Sequence, residues 1–110
     1  MKGGETMDDR RVFERIPARL DVRYLDINSG KDGQAVTRDI SAKGVGLVTS
    51  AALTARTPLE LWLDVPDKGE PIYTRGEVAW STPAAGGVYH SGISLERADL
   101  MGFSRVLRAA

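Results

Sequence analysis

Three arginines and one short polar segment are the residues of this chain whose types and spacing suit ligand binding. Arg10, Arg11 and Arg15 are close together in the sequence and precede every strand-like pattern, while the segment 39–44 reads DISAKG and joins two strand-like runs. Guanidinium groups bind phosphate through paired hydrogen bonds and stack on aromatic planes. Asp and Ser side chains make hydrogen bonds at close range. A ligand that is both anionic and aromatic, such as a guanine nucleotide, would use all of these groups.

Length and composition limit the class of protein. A chain of 110 residues with 42% hydrophobic and 27% charged residues suits one globular domain. A formal net charge of zero gives no overall basic field for a nucleic-acid polymer, and 6% aromatic residues offer few stacking platforms. The absence of cysteine excludes disulfides, thiol catalysis and zinc–cysteine sites. No apolar run reaches the length of a membrane span, so we expect a cytoplasmic module with no membrane insertion.

The periodicity of apolar residues predicts an all-β domain with one C-terminal helix. Alternating patterns predict six strands, at residues 20–24, 34–40, 45–49, 59–65, 72–80 and 88–95. Short strands at near-regular spacing favour a small antiparallel barrel or sandwich. Residues 97–108 predict a helix that covers an open side and places Leu100, Phe103 and Leu107 on its apolar face. Trp62 alternates with the leucines of its strand and is expected to pack under a loop or the helix.

Several of the candidate residues also have common structural roles. Asp39 and Ser41 occur often in turns whose side chains bond their own backbone, and this role is compatible with ligand contact. Gly44 can serve a bulge or a positive φ angle, and it can also serve a ligand by having no side chain. Trp80 is of a type that more often packs than stacks on a ligand. His90 is the only histidine, so we expect no metal site.

The two motifs together resemble those of the PilZ domain, a bacterial receptor for the second messenger cyclic di-GMP. The family pattern RxxxR is matched by residues 11–15, and [D/N]xSxxG by residues 39–44. The later segments VGL (45–47), GEVAW (76–80) and GISL (92–95) are also similar to the family, although Leu95 stands where an aromatic residue is more usual. The resemblance covers roughly residues 10–108. It implies a six-stranded antiparallel barrel followed by a helix.

The resemblance also implies roles for individual residues. Arg11 and Arg15 would clamp phosphate and the guanine edge that presents O6 and N7, which match an arginine fork. Asp39 would accept hydrogen bonds from guanine N–H groups. Ser41 would contact the same base or a phosphate, and Gly44 would lie beside the ligand.

Two further residues receive roles in the same way. Arg10 would stack on or pair with a second guanine, as in family members that bind an intercalated ligand dimer, and Trp80 is a lower-ranked stacking residue. The chain would divide into a flexible tail (1–9) and a PilZ domain (10–110). Within that domain, a ligand-binding arm (10–17) precedes the barrel (18–95) and the helix (97–108).

The predicted function is therefore that of a receptor, with no catalytic residues, no metal and no cofactor beyond the ligand cyclic di-GMP. Ligand binding would order the arm against the barrel and create a surface for a downstream protein partner. Three alternatives to a receptor remain. The first is a nucleotide-insensitive PilZ-like interaction module, the second is a barrel that binds single-stranded nucleic acid, and the third and least expected is an enzyme.

Overall fold

Apolar residues at every second position build the barrel, because successive side chains of a strand point to opposite faces. The computed structural model describes residues 14–109. Its elements are β1 (Ile16–Pro17), β2 (Asp21–Asp26), β3 (Asp32–Ile40), β4 (Gly44–Thr49), β5 (Pro58–Asp64), β6 (Ile72–Pro83), β7 (Tyr89–Leu95) and α1 (Leu100–Ala109). Six strands pair antiparallel in the order β3-β2-β5-β6-β7-β4, and β4 pairs with β3 to close the barrel. The predicted six-stranded antiparallel barrel with a C-terminal helix is confirmed.

Strand β5 shows most clearly how the sequence forms the core. Leu59, Leu61 and Leu63 are almost fully buried, while Glu60 and Trp62 between them point outward. The other strands contribute six further buried apolar side chains: Val22, Ile40, Val45, Leu47, Val78 and Ile93. Burying apolar surface in this way is the main favourable term in folding.

A seventh strand, the two-residue β1, was not predicted. Ile16 pairs with Ile40, and Pro17 pairs with Asp39, so β1 joins the end of β3 beyond the residues that pair with β2. Proline is tolerated there because an edge strand does not need every N–H for the ladder. This pairing fixes the chain next to residue 15 against the second motif.

A bulge interrupts the alternation of β6. Val78 pairs with Ile93 and Trp80 pairs with Gly92, so Ala79 is an extra residue on the β6 side. Because side chains alternate with a period of two, an unbroken strand would turn Trp80 to the same interior face as Val78. With the bulge, Val78 is buried and Trp80 is 44% exposed on the outer surface.

Helix α1 packs against the barrel through Phe103 and Val106. Asp99 caps its start, because the carboxylate accepts a hydrogen bond from the Gly102 N–H at 2.8 Å. The predicted apolar face is only partly right: Phe103 is buried, but Leu100 and Leu107 are 54% and 50% exposed. The face in contact with the barrel instead contains Gly102, Phe103 and Val106. Within residues 14–109, no helix has the length and hydropathy of a membrane-spanning segment.

The prediction that Trp62 packs under a loop or the helix is wrong. Trp62 lies on the outer face of the barrel between its two cross-strand neighbours, Arg23 on β2 and Tyr73 on β6. The Arg23 guanidinium carbon is 4.2 Å from the centroid of the Trp62 ring, and the Tyr73 ring centroid is 5.4 Å away. A cation and a second ring thus flank the indole, and the neighbouring strands supply both.

Candidate ligand-binding site

A shallow pocket lies on the outside of the barrel, beside the start of β4 and the end of β7. Its volume is about 260 Å³. Strands β6, β4 and β7 provide most of its wall, and the polar segment before β4 and the residue before β1 complete it. The lining residues are Arg15, Ser41, Lys43, Gly44, Ala79, Trp80, Gly92, Ile93 and Ser94.

An ion pair joins the ends of the two sequence motifs. Arg15 donates a hydrogen bond from Nη1 to the Asp39 carboxylate at 2.5 Å, and the two side chains are 48% and 28% exposed. Two glycines of β4 make room for this pair. A Cβ at Gly46 would lie 2.7 Å from Asp39 Oδ1, and one at Gly44 would lie 3.0 Å from Arg15 Nη2. Both charged side chains therefore lie across the backbone of β4 where side chains are missing.

The hydroxyl of Ser41 organises the turn before β4. Ser41 Oγ accepts hydrogen bonds from the N–H groups of Gly44 at 3.1 Å and Lys43 at 3.3 Å, and the Ser41 N–H donates to the Gly44 carbonyl at 2.9 Å. The residue is only 5% exposed. The predicted turn role of Ser41 is thus confirmed. Asp39, in contrast, bonds the distant Arg15 rather than forming the expected turn with its own backbone.

Trp80 forms an aromatic side of the pocket. The bulge of β6 turns its side chain outward, and the indole lies directly against Gly92 of β7. A Cβ at Gly92 would be 2.4 Å from Trp80 Nε1, so the contact depends on the absence of a side chain there. Almost half of the Trp80 surface remains accessible, which leaves the indole able to contact a ligand.

The structure brings most of the predicted site residues together. Arg15, Ser41, Gly44 and Trp80 line the pocket, and Asp39 adjoins it through its bond to Arg15. Arg10 and Arg11 lie outside the described residues. These contacts leave the ligand roles of all seven residues as predictions.

Two polar lining residues, Lys43 and Ser94, were missed by the sequence analysis. Lys43 lies within the segment 39–44, so a cation inside the predicted turn was an available signal. Ser94 lies between the buried Ile93 and the half-buried Leu95 and carries no comparable signal. Among residues 14–109, no group of three His, Asp or Glu side chains is placed to hold a metal ion.

The lining residues define the chemistry that the pocket can perform. Arg15 and Lys43 supply positive charge for an anion, and Trp80 supplies a flat face for an aromatic ring. Among the lining residues that lie within 14–109, no nucleophile is paired with a general base. This fold and pocket define a small β-barrel with a surface pocket in which positive charge lies beside an aromatic face.

Comparison with known families agrees with this class. The family model of the PilZ domain matches residues 9–104, nearly the whole chain. The chain therefore belongs to the PilZ domain family. No curated protein matches its sequence.

Solved structures of similar fold come from several bacteria. The inhibitor of motility MotI/DgrA of Bacillus subtilis is 17% identical, with a TM-score of 0.68 over 90% of this chain and 48% of that one. The PilZ domain of CeSA from a cellulose-synthesizing bacterium is 23% identical, with a TM-score of 0.61. The match covers 86% of this chain and 92% of the CeSA domain. PlzA of Borreliella burgdorferi, solved in complex with c-di-GMP, is 14% identical, with a TM-score of 0.54. The match covers 91% of this chain and 35% of PlzA. The chain thus spans about half of MotI and about a third of PlzA.

Proposed function

We propose that this chain is a receptor for cyclic di-GMP and that the pocket beside β4 and β7 forms part of its binding site. One observation carries the proposal. The Arg15 guanidinium and the half-exposed Trp80 indole, which are far apart in the sequence, line the same pocket. A cation beside an aromatic face suits a ligand that combines phosphodiesters with guanine rings. Family membership and the complex of PlzA with c-di-GMP support the same ligand.

Each residue has a proposed role in this site. Arg15 exchanges its bond to Asp39 for bonds to a ligand phosphate or to the O6/N7 edge of guanine. Asp39, once released, accepts hydrogen bonds from guanine N–H groups. Trp80 stacks on a base. Lys43 adds positive charge near a phosphate.

The remaining predicted residues act in less direct ways. Ser41 and Gly44 shape the turn and leave the backbone accessible to the ligand, in keeping with the contacts of the Ser41 hydroxyl. Arg11 completes the clamp begun by Arg15, and Arg10 contacts a second guanine. These two arginines lie outside the described residues, so their roles rest on the family pattern alone.

The proposed signal is an ordering of the arm 10–17 against the barrel. The structure describes residues 14–17 of this arm, and β1 at its end already pairs with β3, so the proposed ordering concerns the part of the arm that precedes β1. Fixing a residue of the backbone costs about 1 kcal/mol, while micromolar affinity corresponds to about −8 kcal/mol. Several charge-assisted hydrogen bonds are therefore required. The ordered arm and the ligand would together form a surface for a downstream protein partner in the cytoplasm.

Isothermal titration calorimetry tests the proposal directly. We expect cyclic di-GMP to bind the full chain with micromolar affinity, and we expect GMP, which lacks the second nucleotide, to bind far more weakly. Affinity should decrease with rising salt, because the proposed contacts are largely ionic. Absence of binding at high micromolar concentration in low salt would overturn the proposal. A protein partner captured equally well with and without the nucleotide would then favour the nucleotide-insensitive module, and a gel shift with an oligonucleotide would favour nucleic-acid binding.

A further inference from the structure

We propose that Gly92 is a positioning residue for Trp80. Its missing side chain and the bulge opposite it hold the indole flat against β7, in the orientation that a ligand base meets. That the Trp80 indole contacts a ligand base rests on the proposed function. That Gly92 sets the position of the indole rests on contacts within the barrel alone.

The bulge decides which face Trp80 occupies. Val78 and Trp80 pair with the adjacent residues Ile93 and Gly92, so Ala79 is accommodated without a partner of its own. The register then resumes with Ser81 opposite Ser91, and Ser91 Oγ donates a hydrogen bond to Ser81 Oγ at 2.9 Å. Ser81 is thereby anchored toward the buried Ser91. Its neighbour Trp80 must point to the opposite, outer face.

Gly92 decides how the indole lies on that face. A Cβ at this position would be 2.4 Å from Trp80 Nε1 and 2.5 Å from Cε2, distances that real Cβ contacts do not show. Either the indole or the strand must move to admit a methyl group. Strand β7 is held between β4 and β6, whereas the indole is 44% exposed. We therefore expect Gly92→Ala to displace the indole from β7 and to change the pocket that both residues line.

The barrel contains a matched control for this arrangement. Gly33 of β3 pairs with Tyr24 of β2, and a Cβ at Gly33 would lie 2.5 Å from Tyr24 Cζ. Here too a strand glycine lies under the aromatic ring of its cross-strand neighbour. Neither residue lines the pocket. Gly33→Ala thus imposes the same kind of local clash at a place where no ligand is expected.

The test uses a background in which Trp80 is the only tryptophan, since the chain contains two and Trp62→Phe removes the other. In this background, Gly92→Ala should raise the quenching of Trp80 fluorescence by acrylamide and weaken cyclic di-GMP binding about tenfold, the scale of a lost base stack. Gly33→Ala should change neither quantity. Trp80→Ala should weaken binding to a similar extent.

A double-mutant cycle separates positioning from a general structural effect. If Gly92 acts through Trp80, Gly92→Ala should destabilise the protein and weaken binding only while Trp80 is present. In the Trp80→Ala background it should do neither. An equal loss of affinity in both backgrounds, or unchanged quenching in Gly92→Ala, would overturn the inference.

Two further outcomes are also decisive. If Gly92→Ala fails to fold, the Trp80→Ala/Gly92→Ala double variant tests the inference. Removal of the indole should remove the clash and restore folding, and a double variant that also fails to fold would overturn the inference. If the parent does not bind cyclic di-GMP, the proposed function and the ligand step both fail. The quenching and stability measurements then still decide whether Gly92 positions Trp80.

Discussion

Within residues 14–109, two arginine–aspartate pairs connect distant parts of the chain, and they are built differently. Arg105 donates from Nε and Nη2 to the two carboxylate oxygens of Asp67, at 2.9 and 2.7 Å, and the Gly69 N–H donates to the same carboxylate at 2.9 Å. To the described part of the chain, Arg15 donates one bond, to Asp39 at 2.5 Å. A bidentate pair fixes both side chains in one geometry, whereas a single bond commits only one guanidinium nitrogen.

The pair with two hydrogen bonds is also the less exposed of the two. The Arg105 side chain is 25% exposed and ties α1 to the turn between β5 and β6, whereas Arg15 is 48% exposed and lines the pocket with Trp80. The same two residue types thus form a bidentate tether in one place and a more exposed contact beside a pocket in the other. The number of bonds and the presence of a neighbouring pocket make the difference.

The largest expected effect is on stability, at the helix end of the barrel. Phe103→Ala removes the main helix side chain from the core, where Phe103 is 9% exposed. We expect the free energy of unfolding to decrease by about 3 kcal/mol, as measured by urea denaturation. Cyclic di-GMP affinity of the folded variant should stay within about twofold of the parent, because the helix end is structural. A large loss of affinity in fully folded Phe103→Ala protein would contradict the separation of a structural helix end from a ligand-binding pocket.

The next effect is on binding, at the pocket. Arg15→Ala should weaken cyclic di-GMP binding by about 30-fold in calorimetry, since hydrogen bonds to charged groups contribute about 2 kcal/mol. Its stability should hardly change, because exposed ion pairs contribute little. Arg105→Ala is the matched control and should show the reverse: unchanged affinity and lower stability. If both variants lose affinity equally, the contrast between the two pairs is wrong.

A smaller effect on binding is expected at Asp39. Asp39→Ala removes a proposed acceptor for guanine N–H groups, but it also releases Arg15 from its present partner. The two consequences oppose each other, so we expect a loss of about fivefold in affinity, less than for Arg15→Ala. Calorimetry under the same conditions measures it. A gain in affinity would mean that Asp39 competes with the ligand for Arg15 and does not contact the base.

The smallest effect is the pH dependence of the Arg105–Asp67 tether. The hydrogen bond from Arg105, followed by that from the Gly69 backbone, lowers the pKa of Asp67 from its usual 3.8 to about 2. Because the folded-state pKa is the lower one, the tether contributes fully above pH 3.8 and is lost as pH falls toward 2. Asp67→Asn should therefore reduce the acid sensitivity of the thermal midpoint in this range. An identical pH profile for the variant and the parent would show that the pair does not stabilise the fold.

The sequence predicts the barrel well because its evidence is local. Leu59, Leu61 and Leu63 alternate with polar or aromatic residues, and this period is enough to predict a strand and its inner face. Strand β1 escapes prediction because Ile16 and Pro17 show no period by themselves. They are a strand only through their pairing with β3.

Other features depend on contacts that no local pattern contains. The outward position of Trp80 requires a bulge that is defined only against β7. Leu100 and Leu107 satisfy a helical period, yet the cap at Asp99 and the anchor at Arg105 turn a different face to the barrel. The motif residues themselves were predicted, but the direct bond between Arg15 and the second motif was not.

The most direct test of the central claim uses the indole N–H signals of the two tryptophans in a proton–nitrogen NMR spectrum. Trp80 lines the pocket, and Trp62 lies between Arg23 and Tyr73 outside it. On addition of cyclic di-GMP we expect the Trp80 indole signal and the backbone signals of Gly44 and Gly92 to shift, while the Trp62 indole signal stays in place. Absence of any shift at saturating nucleotide, or a shift confined to Trp62, would contradict the account.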